Sequence, residues 1–238
     1  MGVQHRRALY VLGGLCAILW PILSELVFYA ATSALARGAL GPAAPGMAGC
    51  ATRLAQLAQV PGFLALEWGR AAVQFLLWPF LLAAFRFASQ QGERDCAGLA
   101  LGLGLLSIAT TAISQAMNPS VTHALGQAYL DAAHEGEGAA ILATLSALLQ
   151  WHAGLNRMAS LLYQACVALL GLALIRSHTW KARGWIGLVG AVLALPAKLP
   201  LGWSVPTNLI WTGLGYFVWP VSMGIGLLRQ RQGGQRMC

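Results

Sequence analysis

The stretch "LALEWGRAAVQFLLWPFLLAAF", residues 64–85, decides the fold of this chain. It is as long and as apolar as a helix that crosses the hydrocarbon core of a bilayer, which is about 30 Å thick. It also carries Glu67 and Arg70, three residues apart. Because a charged side chain at the centre of a spanning helix costs roughly 2.5–3.5 kcal/mol, these two residues need partners or water.

The composition of the whole chain is that of a membrane protein. The 238 residues are 58% hydrophobic and 9% charged, whereas about 25% of a soluble domain is charged. Charge-free runs occupy 8–24, 158–175 and 207–228, and they approach or reach the spanning length of about 20 residues. The sequence therefore predicts one integral membrane domain over residues 1–238, without a soluble module.

The apolar segments predict an all-α, polytopic bundle of six transmembrane helices. Their ends are placed from hydropathy and flanking charge, to within several residues. The expected spans are about 8–31, 62–86, 97–117, 155–175, 185–203 and 208–228.

The distribution of charge orients this bundle. The net charge is +8, and with the N-terminus inside, the inner segments carry Arg6, Arg7, Arg86, Arg94, Arg176, Lys181, Arg183, Arg229, Arg231 and Arg236. The outer segments carry Arg37, Arg53 and Arg157, together with the acidic Asp131, Glu135 and Glu137. This is the asymmetry of the positive-inside rule. It predicts a bacterial inner-membrane protein with both termini cytoplasmic and no nucleic-acid partner.

A seventh span at 138–156 would invert this charge pattern in the C-terminal half, so we exclude it. Residues 139–152 instead predict an amphipathic helix on the outer interface, with Trp151 and His152 at the level of the headgroups. Residues 50–60 predict a shorter helix of the same kind.

Small residues form two stripes along predicted spans. Gly98 and Gly102 make a G-x-x-x-G pattern in the third span, and Gly184, Gly187 and Gly190 form a second stripe. Such stripes let helix backbones approach closely in lipid, so we expect both spans to sit centrally.

A Trp-Pro dipeptide recurs within three spans, as Trp20-Pro21, Trp78-Pro79 and Trp219-Pro220. Proline removes one backbone donor and disrupts the helical hydrogen bonding before it. The sequence therefore predicts kinks in spans one, two and six, which are compatible with a central cavity.

Three spans carry charge at one depth. Glu25, Arg70 and Lys198 fall about 6–9 Å outward of the midplane at 1.5 Å per residue, with Glu67 one turn further out. We expect Glu25 to pair with Arg70, and Lys198 to face the same outward-facing polar cavity.

Two interpretations of these charges remain open. They are structural pairs that fix helix register, or they form a pocket in which Arg70 or Lys198 holds an anionic or carbonyl-bearing ligand. Gln74 and Gln115 add polar groups nearby, so the candidate ligand-binding residues are Glu25, Glu67, Arg70, Gln74, Gln115 and Lys198.

The sequence offers no catalytic motif. Its five histidines, at 5, 123, 134, 152 and 178, fall in predicted loops or interfaces, so we expect neither haem nor another cofactor nor a metal. A serine hydrolase would need a histidine at the depth of Ser107 or Ser114, and no predicted span supplies one. Glu67 and His152 could form an acid/base pair at the outer surface if the fold joined them.

The segment "LLYQACVALLGLALIRSHTWKARGWIGLVGAV", residues 161–192, resembles a family of uncharacterised bacterial membrane proteins. The shared features are a span ending in Arg176-Ser177, a basic link with Lys181 and Arg183, and a Gly-punctuated span after it. The family is known as domain of unknown function 4386. The resemblance implies about six spans and brings no catalytic residues, and this chain lacks the proline that the family's link usually has.

These observations predict a protein that binds or transports a small amphiphile, lipid or anion from the outer side. Two alternatives stay open: a non-catalytic accessory subunit that packs through its Gly stripes, and an enzyme acting at the outer leaflet. The expected partners are the lipid bilayer, the small ligand and, for the accessory role, another membrane protein or a second copy of the chain.

Overall fold

A computed structural model of the protein describes residues 3–39, 46–117, 121–132, 138–176, 180–198 and 212–233. All the regular secondary structure of these residues is helical, which confirms the predicted all-α class. The elements are α1 (Val3–Pro21), a π-helix π1 (Ile22–Tyr29), α2 (Ala30–Ala39), α3 (Gly46–Ala58), α4 (Phe63–Val73), a 3₁₀ turn (Gln74–Leu76), α5 (Leu77–Gln90), α6 (Arg94–Met117), α7 (His123–Ala132), α8 (Gly138–Arg176), α9 (Lys181–Lys198), a second π-helix π2 (Thr212–Val218) and α10 (Trp219–Gly233).

Four helical stretches among these residues are long and apolar enough to cross a membrane. They are Gln4–Arg37, Phe63–Gln90, Arg94–Met117 and Gly138–Arg176. The first and third contain the predicted spans 8–31 and 97–117, the second covers the predicted span 62–86 from residue 63 onward, and the fourth contains the predicted span 155–175. The fifth and sixth spans overlap α9 and the pair π2–α10, and the count of six stays a prediction.

Helix α8 is longer than any predicted element. Its 39 residues run from Gly138 to Arg176, which is about 58 Å at 1.5 Å per residue. The predicted break between an interfacial helix at 139–152 and a span at 155–175 is therefore wrong, although the interfacial placement of the first part stays a prediction.

Each Trp-Pro dipeptide lies close to a change of helix type, and the predicted kinks stay a prediction. π1 begins directly after Pro21, the 3₁₀ turn lies just before Trp78-Pro79, and π2 ends just before Trp219-Pro220. A proline has no N–H for the carbonyl four residues earlier, so the hydrogen bonds around it rearrange.

The chain divides into two compact units. Unit 1 comprises Met1–Ile22, Phe75–Ala109 and Arg157–Cys238, and unit 2 comprises Leu23–Gln74 and Thr110–Asn156. Each of the four membrane-length helices contributes residues to both units.

Aromatic side chains form the centre of unit 1. The ring of Trp20 lies 5.8 Å from that of Tyr163 and 5.3 Å from that of Tyr216, and Phe80 meets Trp219 edge-on at 5.5 Å. Both tryptophans are almost fully buried. Since such ring pairs contribute about 0.5–1.5 kcal/mol beyond area burial, they help to specify how α1, α5, α8, π2 and α10 pack.

The two glycine stripes have different environments. Gly184 packs against the backbone of Gly171, and Gly187 packs against the Trp219 ring, so the second stripe is internal to unit 1 as predicted. Gly98 and Gly102 of α6 are exposed, and a Cβ at Gly102 would meet nothing within 4 Å. The prediction that this G-x-x-x-G sits centrally is wrong, because α6 packs through other residues.

Unit 2 contains a pair of short helices, α3 and α7. A Cβ at Gly126 of α7 would lie 2.7 Å from the carbonyl oxygen of Ala51, so the two backbones touch. His123 begins α7, is 3% exposed, and its Nδ1 donates to the carbonyl oxygen of Leu54 at 2.7 Å. The sequence predicted a helix near α3 but placed His123 in a loop, and it predicted no helix at α7.

Candidate functional site

Glu25, Arg70 and Gln74 lie where π1 packs against α4 and the 3₁₀ turn after it. Gln74 lies opposite Ser24, the ring of Phe28 lies against Gly69, and Arg70 lies against Tyr29. The paired residue numbers run in opposite directions, so the two helical segments are antiparallel with a fixed register. A Cβ at Gly69 would contact the Phe28 ring, so the glycine lets the ring lie against α4.

Glu25 belongs to a short polar relay. The side-chain amide of Gln74 donates to Ser24 Oγ at 3.5 Å, and Ser24 Oγ donates to Glu25 Oε1 at 3.2 Å. Ser24 and Gln74 are 2% and 6% exposed, so the relay is sheltered. It ends on a carboxylate oxygen, which is the strongest acceptor of the three groups.

Arg70 does not pair with Glu25, so that prediction is wrong. Among the residues that the structure describes, the one ion pair within 4.0 Å joins Arg176 and Glu93. The register explains the difference: Arg70 lies at the level of Tyr29, one helical turn or about 6 Å from the level of Glu25. Its guanidinium carbon lies 5.3 Å from the centroid of the Tyr29 ring.

Two buried polar atoms of unit 2 lack a hydrogen-bond partner in the described part of the chain. They are Nε of Arg70 and Oε1 of Gln115, and both residues were predicted as ligand-binding. Arg70 Nε is a donor and Gln115 Oε1 is an acceptor. A buried polar atom without a hydrogen-bond partner lowers the stability of the folded protein.

The other two predicted residues add less to the site. Glu67 is half-buried and forms no hydrogen bond or ion pair with a described residue. Lys198 is the last residue of α9, in unit 1, and its side chain lies outside the described residues. Five of the six predicted residues therefore fall in unit 2.

A polar cluster that the sequence analysis missed lies between α6 and α8. Ser114 Oγ lies 2.9 Å from Asn156 Oδ1 and 3.0 Å from His152 Nδ1, and Asn156 Nδ2 lies 3.0 Å from His152 Nε2. Ser114 is fully buried. The prediction that no histidine reaches the depth of Ser114 is wrong, because His152 is part of a long helix rather than a separate interfacial one.

The geometry of this cluster assigns its protons. His152 Nδ1 lies 2.9 Å from the backbone oxygen of Ser114, and a carbonyl only accepts, so Nδ1 carries the hydrogen. Nε2 then accepts from Asn156 Nδ2, and Ser114 Oγ donates to Asn156 Oδ1. The three side chains and the backbone oxygen of Ser114 satisfy one another in a closed ring.

This ring is a clamp between two helices and not a nucleophile activated by a base. A catalytic serine gives its proton to histidine, whereas here the Ser114 proton points to Asn156 and the facing histidine nitrogen is a donor. Both ring nitrogens of His152 are occupied by Ser114 and Asn156, so the predicted acid/base pair of His152 with Glu67 is not formed.

A pattern in the sequence could have revealed the clamp. His152 and Asn156 are four residues apart, and they therefore share one face of a continuous helix. The predicted break at 152–155 separated them into different elements and concealed this pairing.

The described residues contain no group of three or more His, Cys, Asp or Glu that could hold a metal ion. Cys16, Cys50, Cys96 and Cys166 are free thiols. The polar groups of unit 2 can thus bind by hydrogen bonding and charge, with Arg70 as the cationic donor.

Neither a protein-family model, nor a curated protein, nor a solved structure matches this chain. The resemblance over residues 161–192 stays a prediction.

Proposed function

We propose that the chain is a six-span protein of the bacterial inner membrane, with both termini cytoplasmic, that binds or transports a small amphiphile, lipid or anion through unit 2. Arg70 is the residue that carries this proposal. Its helix is of membrane length and apolar. Among the residues that the structure describes, Arg70 has no carboxylate within 4.0 Å, and its buried Nε has no hydrogen-bond partner.

The energetics favour a ligand at this arginine. A cation on a spanning helix is costly, and the ring of Tyr29 contributes only about 0.5–2 kcal/mol by cation–π attraction. A phosphate, sulfate or carboxylate group would accept hydrogen bonds from the guanidinium in a bidentate manner and supply the missing charge.

Native mass spectrometry of the full-length protein, purified in a mild neutral detergent, tests the proposal. We expect wild type to retain a small molecule or lipid that Arg70→Gln loses. Arg53→Gln is the matched control, because Arg53 also lies in unit 2 but is exposed on α3. Equal retention by Arg70→Gln and wild type would refute a ligand held by Arg70.

The proposed topology has a separate test. A reporter fused at Cys238 should report a cytoplasmic location, and one inserted near Asp131 an external location. The opposite pattern, or two reporters on one side, would refute the orientation derived from the positive-inside rule.

The exposed face of α6 favours a second candidate function, an accessory subunit. Gly98, Gly102 and Ala109 are exposed together with Leu99 and Leu106, so a small-residue face is left open to another helix. Crosslinking in membranes should then detect an association that Gly102→Leu abolishes and Gly213→Leu, at another open glycine, leaves intact.

A further inference from the structure

Gln164 is a buried amide in the part of α8 that belongs to unit 1, and it is 2% exposed. Neither its Nε2 nor its Oε1 has a hydrogen-bond partner among the described residues. The buried Oγ of Ser160, one turn earlier on the same face of the helix, has no partner there either. A buried donor or acceptor without a partner destabilises the folded state, so the packing around Gln164 is unfavourable for this side chain.

The face of α8 that carries Gln164 packs against α9. Gly171 lies seven residues after Gln164 and therefore shares its face. A Cβ at Gly171 would lie 2.8 Å from the carbonyl oxygen of Gly184 and 3.0 Å from the backbone nitrogen of Leu188. A Cβ at Gly184 would lie 2.7 Å from the backbone nitrogen of Ile175. The two helices are thus in backbone contact and run antiparallel.

The part of α9 at the level of Gln164 offers it no polar side chain. Gln164 precedes Gly171 by about 10 Å at 1.5 Å per residue, so its level on the antiparallel α9 is near Ala191. Ala191 is 3% exposed, and no residue in 186–197 has a polar side chain. The amide therefore faces a contact made by small, apolar groups, which cannot pair with it.

Two features of α9 let this part of the helix move away from α8. Pro196, inside α9, has no N–H for the carbonyl oxygen of Val192, so the last turns are joined by fewer hydrogen bonds than in a regular helix. On the side of α9 away from α8, Val189 and Leu193 are 42% and 46% exposed. No described residue covers that side, so outward movement meets no obstacle within the described part of the chain.

We propose that α9 from Ala191 onward is a gate over Gln164, with a closed state as in the structure and an open state in which water reaches the amide. Opening replaces the missing partners by hydrogen bonds to water, so the unpaired amide favours the open state. Gln164 lies in the middle of the predicted span 155–175, and the gate therefore controls the access of water to that depth. The gate is in unit 1 and does not depend on the function proposed for Arg70.

The test measures whether water reaches the contact between α8 and α9. Ala191→Cys places a thiol at the level of Gln164 in the full-length protein. The native Cys166 is the internal control, because it is fully buried on the face of α8 that meets Gly104. Maleimide reacts with the thiolate, which needs water at the sulfur, and peptide mass spectrometry measures the labelling rate of each cysteine. We expect the introduced thiol to react at least about tenfold faster than Cys166.

Two variants in the Ala191→Cys background test the cause of opening. Gln164→Met removes both unpaired atoms and keeps the length of the side chain, so it should lower the labelling rate of the introduced thiol about tenfold and raise the melting temperature. Pro196→Ala restores the N–H for the carbonyl of Val192 and should lower the rate about threefold. Pro79→Ala, in α5 of the same unit, is the matched control and should leave the rate unchanged. If Gln164→Met does not fold, Pro196→Ala still tests the gate.

Four results would overturn the proposal. Equal labelling rates for the introduced thiol and Cys166 would show that α9 does not open locally. An unchanged rate in Gln164→Met would show that the unpaired amide does not favour opening, and a lower melting temperature of that variant would show that the amide is satisfied in the closed state. Equal rates in Pro196→Ala and Pro79→Ala would exclude α9 as the moving element.

Discussion

Unit 1 and unit 2 are built from different kinds of contact. Of the fifteen Lys and Arg residues, twelve fall in unit 1, whereas five of the seven acidic residues fall in unit 2. Unit 1 is centred on ring pairs such as Trp20–Tyr163 and Phe80–Trp219. Unit 2 is joined by polar contacts, including the Ser114–His152–Asn156 clamp.

This difference indicates where each unit derives its specificity. Ring packing in unit 1 depends on shape and resists any change of volume. The polar contacts of unit 2 depend on donor and acceptor matching, and in lipid each such contact contributes only about 0.6 kcal/mol on average. We therefore expect mutations to have larger effects on stability in unit 1, and larger effects on ligand binding at Arg70 in unit 2.

The largest effect should come from the aromatic centre of unit 1. Trp20→Ala removes a ring that is 1% exposed and touches two tyrosine rings, so it should lower the free energy of unfolding by about 3–5 kcal/mol. Trp78→Ala is the matched control, because Trp78 also precedes a proline but is 49% exposed. Sodium dodecyl sulfate titrations measure both, and equal losses would show that ring packing does not dominate unit 1.

The second-largest effect is a change in stability that should have opposite signs in the two glycine stripes. Gly184→Ala places a Cβ about 2.6 Å from the backbone oxygen of Gly171, so overpacking should cost about 1–3 kcal/mol. Gly102→Ala meets nothing within 4 Å, and the better helix propensity of alanine should add up to about 1 kcal/mol. Thermal unfolding in detergent measures both, and a loss in Gly102→Ala would mean that this glycine is covered by another chain.

A smaller effect is expected from the clamp of unit 2. Ser114→Ala leaves Asn156 Oδ1 without its donor, which should cost about 1–2 kcal/mol. Ser160→Ala in unit 1 is the control, since the buried Oγ of Ser160 has no partner among the described residues. That substitution should be neutral or slightly stabilising, and a loss equal to that of Ser114→Ala would contradict the closed ring.

The sequence was sufficient for the properties that depend on composition and on local chemistry. Apolar runs of spanning length predicted the all-helical class and the membrane-length helices at Phe63–Gln90 and Arg94–Met117. The three prolines at which the sequence predicted kinks, Pro21, Pro79 and Pro220, each lie close to a change of helix type. Each of these follows from backbone hydrogen bonding within one segment.

Properties that depend on how two helices face each other were not predictable in this way. Depth along a span predicted that Glu25 and Arg70 lie in one layer. The observed register differs by one helical turn: Gln74 contacts Ser24, which donates to Glu25. Arg70 therefore lies beside Tyr29. The same limitation concealed the contact of Ser114 with His152. Hydropathy also does not distinguish the exposed glycines of α6 from the packed glycines of α9.

The smallest predicted effect tests this register directly. The charge swap Glu25→Arg with Arg70→Glu would restore a direct ion pair if one existed, with a coupling of at least about 0.5 kcal/mol in a double-mutant cycle. Because Arg70 faces Tyr29 and Glu25 accepts from Ser24, the two changes should instead be additive within about 0.5 kcal/mol.

Tyr29→Leu together with Arg70→Gln provides the positive control for that cycle. Removing the ring should couple to removal of the guanidinium by about 0.5–2 kcal/mol, which is the range of a cation–π contact. Coupling for Tyr29 but not for Glu25 would exclude Glu25 as the counter-ion of Arg70. An arginine without that counter-ion gains more from binding an anionic ligand. Coupling for Glu25 alone would restore the ion pair and leave Arg70 a structural residue.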